Sequence, residues 1–360
     1  MKKLIIKGMD KRYFSEKLAE WYHENKRSLP WRDTDDPYKI WLSEIILQQT
    51  RVSQGLPYYL RFIEKYPTVH ALADAAEQEV LRLWQGLGYY TRARNLHKCA
   101  KTIVNDHSGV FPEHYEGLRK LPGIGDYTAA AIASISFQEP VAVVDGNVYR
   151  VLSRVFGIDT AINSPEGKKK FTQLANELLQ TRQPNLHNQA VMEFGALYCT
   201  PKGPNCAQCV LKSTCFARRH QLQQQLPVKN KLKSSRKRYF YYFVLQHRKS
   251  LALKKRDQKD IWQGLFDFHL IEKNKPVKIE KLIAEYGHKN WPNKNPKVDV
   301  SPPYKHVLTH QTITARFIRV EIDKSFQSLD ERLKFYSAKQ IGSLPKPVLI
   351  TRFLEEQQLL

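Results

Sequence analysis

Acidic residues are scarce in this chain. Its 360 residues set 35 Asp and Glu against 58 Lys and Arg, a formal net charge of +23 with a pI near 9.7. An excess of that size calls for an anionic partner, and phosphate backbones are the usual one. Charge alone fits equally a basic protein with no specific partner. Long apolar runs are lacking as well. The opening MKKLIIKGMDKR has a three-residue run, Leu4 to Ile6, too short for a signal peptide, and no segment approaches a membrane span. A cytoplasmic, monomeric protein that meets no membrane is therefore expected. Cysteine is rare: there are five, four of them clustered, which argues for a metal centre and against a disulfide framework. No internal repeat is visible. The remainder, 42% hydrophobic and 11% aromatic, is ordinary globular composition over a length that suits two or three domains.

From Tyr13 to about Tyr198 the apolar residues recur at helical spacing, as in Phe14, Leu18 and Trp21, or Val148, Val151, Leu152 and Val155. Turn signals such as SLPW, GLGYY and NSPEG separate the segments. This predicts an all-α region over residues 1–217. Residues 218–238, RRHQLQQQLPVKNKLKSSRKR, are polar and basic with little to bury, and read as a linker running over the surface. Beyond it, over 239–360, strand-like runs (YFYYFVLQ, 239–246; TITARFIRVEI, 312–322) accompany helix-like stretches at 279–287 and near 345–357. The fold class is thus multidomain, all-α followed by α+β.

Cys199, Cys206, Cys209 and Cys215 have the spacing C-x6-C-x2-C-x5-C. Four thiolates complete either a tetrahedral zinc site or an iron–sulfur cubane. Only Cys206 and Cys209 form the close doublet that zinc sites favour, so one uneven loop suits a 4Fe-4S cluster better. Cys99 falls on the apolar face of a helix and belongs to the core. Lys202, Lys212, Arg218 and Arg219 surround the loop, which points to a structural cluster holding a basic loop.

The stretch LRKLPGIGDYTAAAIASI (118–135) places Gly123 and Gly125 directly before a helix beginning near Asp126 or Tyr127. Glycines allow close backbone approach, and the free N–H groups of the helix start form an anion site suited to a DNA phosphate. The arrangement resembles a helix–hairpin–helix motif. Together with the cysteine loop some seventy residues later, it resembles the endonuclease III superfamily of base-excision DNA glycosylases.

Two carboxylates stand out. Asp145, in VAVVDGNVYRVLSR, reads locally as an N-cap. Glu44, in WLSEIILQQTRV, shares a helical face with Ile40 and Leu47, and apolar surroundings raise a carboxyl pKa toward that of a general acid. The segment SEIILQQT resembles adenine DNA glycosylases of the MutY type. That resemblance implies that Glu44 protonates a flipped-out adenine while Asp145 stabilises or traps the sugar cation, a logic parallel to glycoside hydrolysis. It implies an adenine pocket of Arg27, Leu29, Trp31, Arg32, Val52 and Gln189. It further implies that Gln49 and Thr50 enter the duplex and that Tyr89, with Leu87 beside it, acts as a wedge. Tyr127 stands where lyase-active relatives carry a lysine. A phenol forms no Schiff base, so its hydroxyl is expected to orient Asp145, with Asn147 helping. The strand should be left intact.

The C-terminal region resembles the MutT-like domain of the same family, which reads 8-oxoguanine. GLFDF (264–268) and YKHVLTHQTI (304–313) are its landmarks. Where the family has Phe-Ser-His, Leu308-Thr309-His310 stands here, and Thr309 keeps a hydroxyl that donates and accepts. No REXXEE helix is present, so nucleotide pyrophosphohydrolysis is not expected. The implied partner is double-stranded DNA with adenine opposite 8-oxoguanine or guanine, and the implied cofactor is the 4Fe-4S cluster. Two rivals share part of this pattern: an endonuclease III-like glycosylase/lyase acting on oxidised pyrimidines, and a zinc-stabilised DNA-binding protein without catalysis.

Overall fold

The computed structural model describes residues 11–230, 235–290, 297–322 and 330–360. The apolar run at Leu4–Ile6 and residues 231–234 of the expected linker lie outside them. The helices, in chain order, are α1 (Lys11–Asn25), α2 (Pro37–Leu47), α3 (Val52–Lys65), α4 (Val69–Asp74), α5 (Glu77–Leu83), α6 (Thr91–His107), α7 (Tyr115–Leu118), α8 (Asp126–Ser136), α9 (Gly146–Phe156), α10 (Pro165–Leu178), α11 (Pro184–Leu197) and α12 (Phe216–Arg219). There follow β1 (Arg236–His247), β2 (Ser250–Lys255), β3 (Phe266–Asp267), β4 (His269–Lys273), α13 (Ile279–Asn290), β5 (Val298–Val300), β6 (Tyr304–Leu308), β7 (Gln311–Glu321), β8 (Lys334–Ser337), α14 (Ala338–Ser343) and α15 (Val348–Glu356). Among the described residues no helix is long and apolar enough to cross a membrane.

The chain forms two compact units, Met1–Ala73 with Lys98–Leu232, and Asp74–His97 with Lys233–Leu360. In the first, α2 starts at Pro37 because Asp36 caps it, its carboxylate accepting from the Tyr38 N–H at 2.9 Å, and proline suits the first helical position. The helix buries Ile40, Trp41, Leu42, Ser43, Ile45 and Ile46. A helix apolar nearly all round lies in an interior, and Glu44 is the carboxylate embedded in it. Helix α9 opens on Asp145 and stops at Gly157, whose left-handed φ of 68° ends it. Its buried Val148, Val151, Leu152 and Val155 join Phe14 and Leu18 of α1, Phe171 of α10 and Phe194 of α11 in one core.

In the second unit β1 is buried almost continuously from Phe240 to Leu245, as a central strand covered on both faces must be. It pairs in parallel with β7, Arg236 facing Gln311 through to Gln246 facing Glu321, and the sheet runs β3-β2-β1-β7-β5. Alternate side chains divide between two layers. Tyr241, Phe243 and Leu245 pack on Leu282 and Tyr286 of α13. On the other face Tyr242 stacks on Phe317 at 5.2 Å, and Phe317 on Phe353 of α15 at 3.9 Å.

Three features depart from the expected organisation. Residues 74–97 group with the C-terminal unit, where Arg94 donates to the Gln263 carbonyl at 2.5 Å and Gln85 to Thr351 at 3.3 Å. The expected linker is anchored: Leu226 is buried, its carbonyl accepts from Arg154 at 3.1 Å, and the Val228 carbonyl accepts from the Ile162 N–H at 3.0 Å. Its last residues, Arg236–Arg238, already belong to β1. Polar side chains conceal both attachments because backbone groups make them.

Candidate active site

A cavity of about 450 Å³ opens in the helical unit. It gathers Arg27, Leu29, Trp31, Arg32, Glu44, Thr50, Val52, Tyr127, Asp145, Asn147 and Gln189, eleven residues that the sequence distributes over more than 160 positions. Trp31 is held edge-on against Tyr59 at 4.9 Å, which fixes its indole in the wall.

The two carboxyls are prepared differently. Glu44 is partly buried, and burial, with the nearby Asp145 charge adding, pushes its pKa up to about 7. Tyr127 and Arg32 act in the opposite direction without cancelling it. Asp145 accepts three hydrogen bonds, from the Asn147 N–H at 2.9 Å, Asn147 Nδ2 at 2.7 Å and the Val148 N–H at 2.8 Å. Burial raises its pKa too, while these donors and the Arg150 cation favour the ionised form. Asp145 thus caps α9 as its local sequence predicts, and its carboxylate lines the cavity. Asn147 is held in turn by Arg150, which donates to its Oδ1 at 2.8 Å and to the carbonyls of Gly195 at 2.5 Å and Cys199 at 2.7 Å. The Tyr127 hydroxyl is hydrogen-bonded to the Glu44 carboxyl and lies 3.8 Å from Met192 Sδ, and none of the three Asp145 donors is the phenol.

Gly125 caps α8 with no side chain, leaving the first N–H groups open to an anion. A Cβ on it would touch nothing inside the protein, so the open space lies where a phosphate would approach. Gly123 has φ 77°, a conformation glycine adopts at little cost.

The sequence of residues 42–180 matches the family described as HhH-GPD superfamily base excision DNA repair protein, and residues 241–356 match the NUDIX domain. The adenine DNA glycosylase of Buchnera aphidicola subsp. Baizongia pistaciae (strain Bp) is 36% identical over 344 residues, 93% of this chain and 94% of that protein. The chain belongs to the adenine DNA glycosylase family. The Homo sapiens adenine DNA glycosylase is 43% identical over 231 residues, 62% of this chain and 42% of the human protein. A thermostable thymine-DNA glycosylase structure is 29% identical at a TM-score of 0.55, over 58% of this chain and 97% of that one. A trapped endonuclease III–DNA covalent intermediate shares the fold at 22% identity and a TM-score of 0.52, over 59% of this chain and 99% of that one. The reading of a helical glycosylase region with a MutT-like, Nudix-type sheet domain holds, and the protein is a DNA N-glycosylase that acts on adenine. The non-catalytic rival is set aside.

Other residues assigned to this adenine glycosylase's DNA face lie outside the cavity. Gln49 is exposed after α2 with φ 55°, and Tyr89, 47% exposed, has φ 49°; non-glycine residues held in that region mark functional sites more often than chance placement would. Leu87 is buried instead of presented, and its N–H donates to the Trp84 carbonyl at 3.1 Å. Thr309 and His310 are exposed in the two-residue turn between β6 and β7. Within that unit the Thr309 hydroxyl is hydrogen-bonded to the Tyr89 hydroxyl.

The four loop cysteines are free thiols, each partly buried, and Cys99 is fully buried as expected of a core residue. Burial pushes Cys209 up to about 11, with Cys199, Cys215 and Cys206 adding to the effect, which places the four thiols within electrostatic reach of one another. Arg154 Nη1 lies 3.4 Å from Cys199 Sγ and the Leu211 N–H donates to Cys209 Sγ at 3.4 Å. No three such side chains converge on a single-ion site among the described residues. The donor set itself fits a thiolate-ligated group: four thiols on one short loop, none cross-linked, with N–H donors facing sulfur.

Sequence reading missed Glu193, Met192 and Arg51, which also line the cavity. It also missed Gly195, where a Cβ would sit 2.6 Å from Asn147 Cβ. Gly195→Ala must shift Asn147, which holds Asp145 through its N–H and Nδ2. The expected result is a fall in single-turnover adenine release of about tenfold or more, the equivalent of one lost charge-assisted hydrogen bond, with duplex affinity nearly unchanged in a gel-shift titration.

Proposed function

We propose that this adenine DNA glycosylase removes adenine opposite 8-oxoguanine or guanine in double-stranded DNA and leaves the strand intact. The observation that carries the reaction is the pairing, in one cavity, of Glu44, a carboxyl whose pKa burial raises to about 7, with Asp145, which accepts from three N–H donors. Glu44 donates its proton to the flipped adenine at N7, so that the base departs neutral. Ionised Asp145 stabilises or traps the electron-poor C1′. Water adds there, giving its proton to Glu44. Gln189 takes a hydrogen bond from Tyr22 on Oε1 at 3.1 Å, which leaves its NH₂ end for a ring nitrogen of the base. Leu29, Trp31 and Val52 supply apolar walls. The α8 start with Gly123 and Gly125 takes a backbone phosphate, and Gln49, Thr50 and Tyr89 enter the duplex.

Recognition of the opposite base belongs to the Tyr89–Thr309 pair. 8-Oxoguanine differs from guanine in an N7–H donor and a C8 carbonyl acceptor, and one hydroxyl answers either group. His310 stands beside it in the same turn. Cys199, Cys206, Cys209 and Cys215 would hold a 4Fe-4S cluster, which supplies iron–thiolate bonds that tie the basic loop together. One duplex assay tests the reading: adenine release opposite 8-oxoguanine against guanine, and against thymine glycol, with free base and nicked strand measured separately. Adenine release without nicking is expected. Thr309→Ala should cut the preference for 8-oxoguanine over guanine by about tenfold, the worth of one hydrogen bond. An unchanged preference overturns the lesion-reading role of this turn.

A further inference from the structure

Glu193 sits in the middle of α11 with its side chain 1% exposed. One oxygen, Oε1, accepts from the Arg27 N–H at 3.1 Å, Arg27 Nε at 2.8 Å and Arg32 Nη1 at 2.7 Å. The other, Oε2, accepts from Arg27 Nη2 and Arg32 Nη2, both at 2.5 Å. Two guanidinium forks thus close on one carboxylate, and Arg32 also donates to the Arg27 carbonyl at 3.2 Å. The Arg32 guanidinium lies 5.7 Å from the ring centre of Tyr22, the residue that binds Gln189. Gln189 is one turn earlier on the same helix as Glu193.

This arrangement bears on Glu44. The groups that act on its carboxyl are Tyr127 from α8, Asp145 at the start of α9 and Arg32 from the segment before α2, with Arg51 and Glu193 on the same cavity wall. Of these, Arg32 is a cation that favours an ionised Glu44. A guanidinium free to swing would form an ion pair with Glu44 and remove the proton that the reaction needs. We propose that Glu193 is a positioning residue of this active site: it locks Arg27 and Arg32 in one cluster, so that the cavity offers the base a neutral acid at Glu44 instead of a carboxylate drawn to Arg32. Glu193 touches neither sugar nor reacting bond in this role. The inference rests on Glu44 as the acid.

The test is the pH profile of single-turnover adenine release by the full chain, from pH 5 to 9, for wild type, Glu193→Gln and Glu193→Asp, with melting temperature and duplex affinity recorded alongside. In Glu193→Gln the alkaline limb should move down by about one pH unit, within the range a nearby unlike charge produces. The rate near pH 8 then falls about ninefold and the rate near pH 6 about twofold, so the loss is about fivefold larger at pH 8. Aspartate, one methylene short, reaches the two arginines less well and should move the limb the same way by a smaller amount. A limb that stays at the wild-type pH in whichever variants fold, with only a uniform loss of rate or melting temperature, overturns the proposal and leaves Glu193 a structural tie. Absence of any alkaline limb in the wild type overturns Glu44 as the acid, and this role with it. The two failures are therefore told apart by the wild-type curve.

Discussion

Glu44→Gln abolishes adenine release while duplex binding survives. Glutamine keeps the shape and a hydrogen-bond donor but offers no proton to the base, and general acid–base help of this kind is worth about 10²–10⁴-fold. Single-turnover excision should fall by at least that factor, whereas a gel shift on the same duplex should change little, because Glu44 is one group among many on the DNA face. The wild-type rate carries its own signature. With the Glu44 pKa at about 7, the acid is present below that pH and is lost above it, so the rate falls on the alkaline side. Stability follows the same sign. The pKa is raised in the folded state, so the favourable contribution is complete below the ordinary carboxylate range and disappears as pH rises through about 7. Glu44→Gln removes that penalty. Its melting temperature should gain on the wild type at pH 8 and not at pH 5. A variant that excises adenine at the wild-type rate, or one that gains stability equally at both pH values, contradicts the assignment.

The two cavity carboxylates proposed as catalytic were legible because each lies in a contiguous segment whose local rule is visible. Asp145 stands between an apolar run and a helix, and Glu44 interrupts the most apolar helix of the chain. The same signal is present at Glu193, a carboxylate inside the apolar run QAVMEFGALY. Arg27 and Arg32 were assigned to the base, yet both guanidiniums are committed to Glu193. Pairing across 160 residues leaves no periodic trace. Of the eight strands among the described residues only β1 and β7, with the helices α13 and α15, were visible as strand-like and helix-like runs, and the parallel partnership of β1 and β7 joins segments about 75 residues apart. The grouping of residues 74–97 with that unit was equally hidden, since it depends on arginine and glutamine contacts to distant backbone and side chains. It has a practical consequence. Cutting the chain near residue 230 strips Tyr89 of its Thr309 partner, so a point change in the turn tests the proposed lesion-reading role better than truncation does.

Tyr127→Lys should convert release of the base into release of the base with strand scission. The phenol lines the same cavity as Glu44 and Asp145, and it interacts electrostatically with both carboxyls, so an amine in its place lies beside the sugar carbon. Confinement there lowers a lysine pKa, which frees the lone pair for attack. The amine nitrogen bonds to C1′ as the glycosidic bond breaks, and adenine leaves with the Glu44 proton. The nitrogen loses a proton, the C1′–O4′ bond opens as O4′ takes up a proton to give the protonated imine, and loss of a C2′ proton then expels the 3′ phosphate by cleavage of the C3′–O bond. Borohydride should trap the variant on DNA, and nicked strand should rise from background to the dominant product. The wild type should give free adenine, an intact abasic strand and no trapped adduct. Because Asp145 takes its hydrogen bonds from Asn147 and Val148, removing the phenol does not release that carboxylate, and base excision should persist in the variant. Trapping of the wild-type enzyme would show that another amine already reaches C1′. A variant that excises adenine but forms no adduct would place Tyr127 too far from the sugar for the role its position in the cavity gives it.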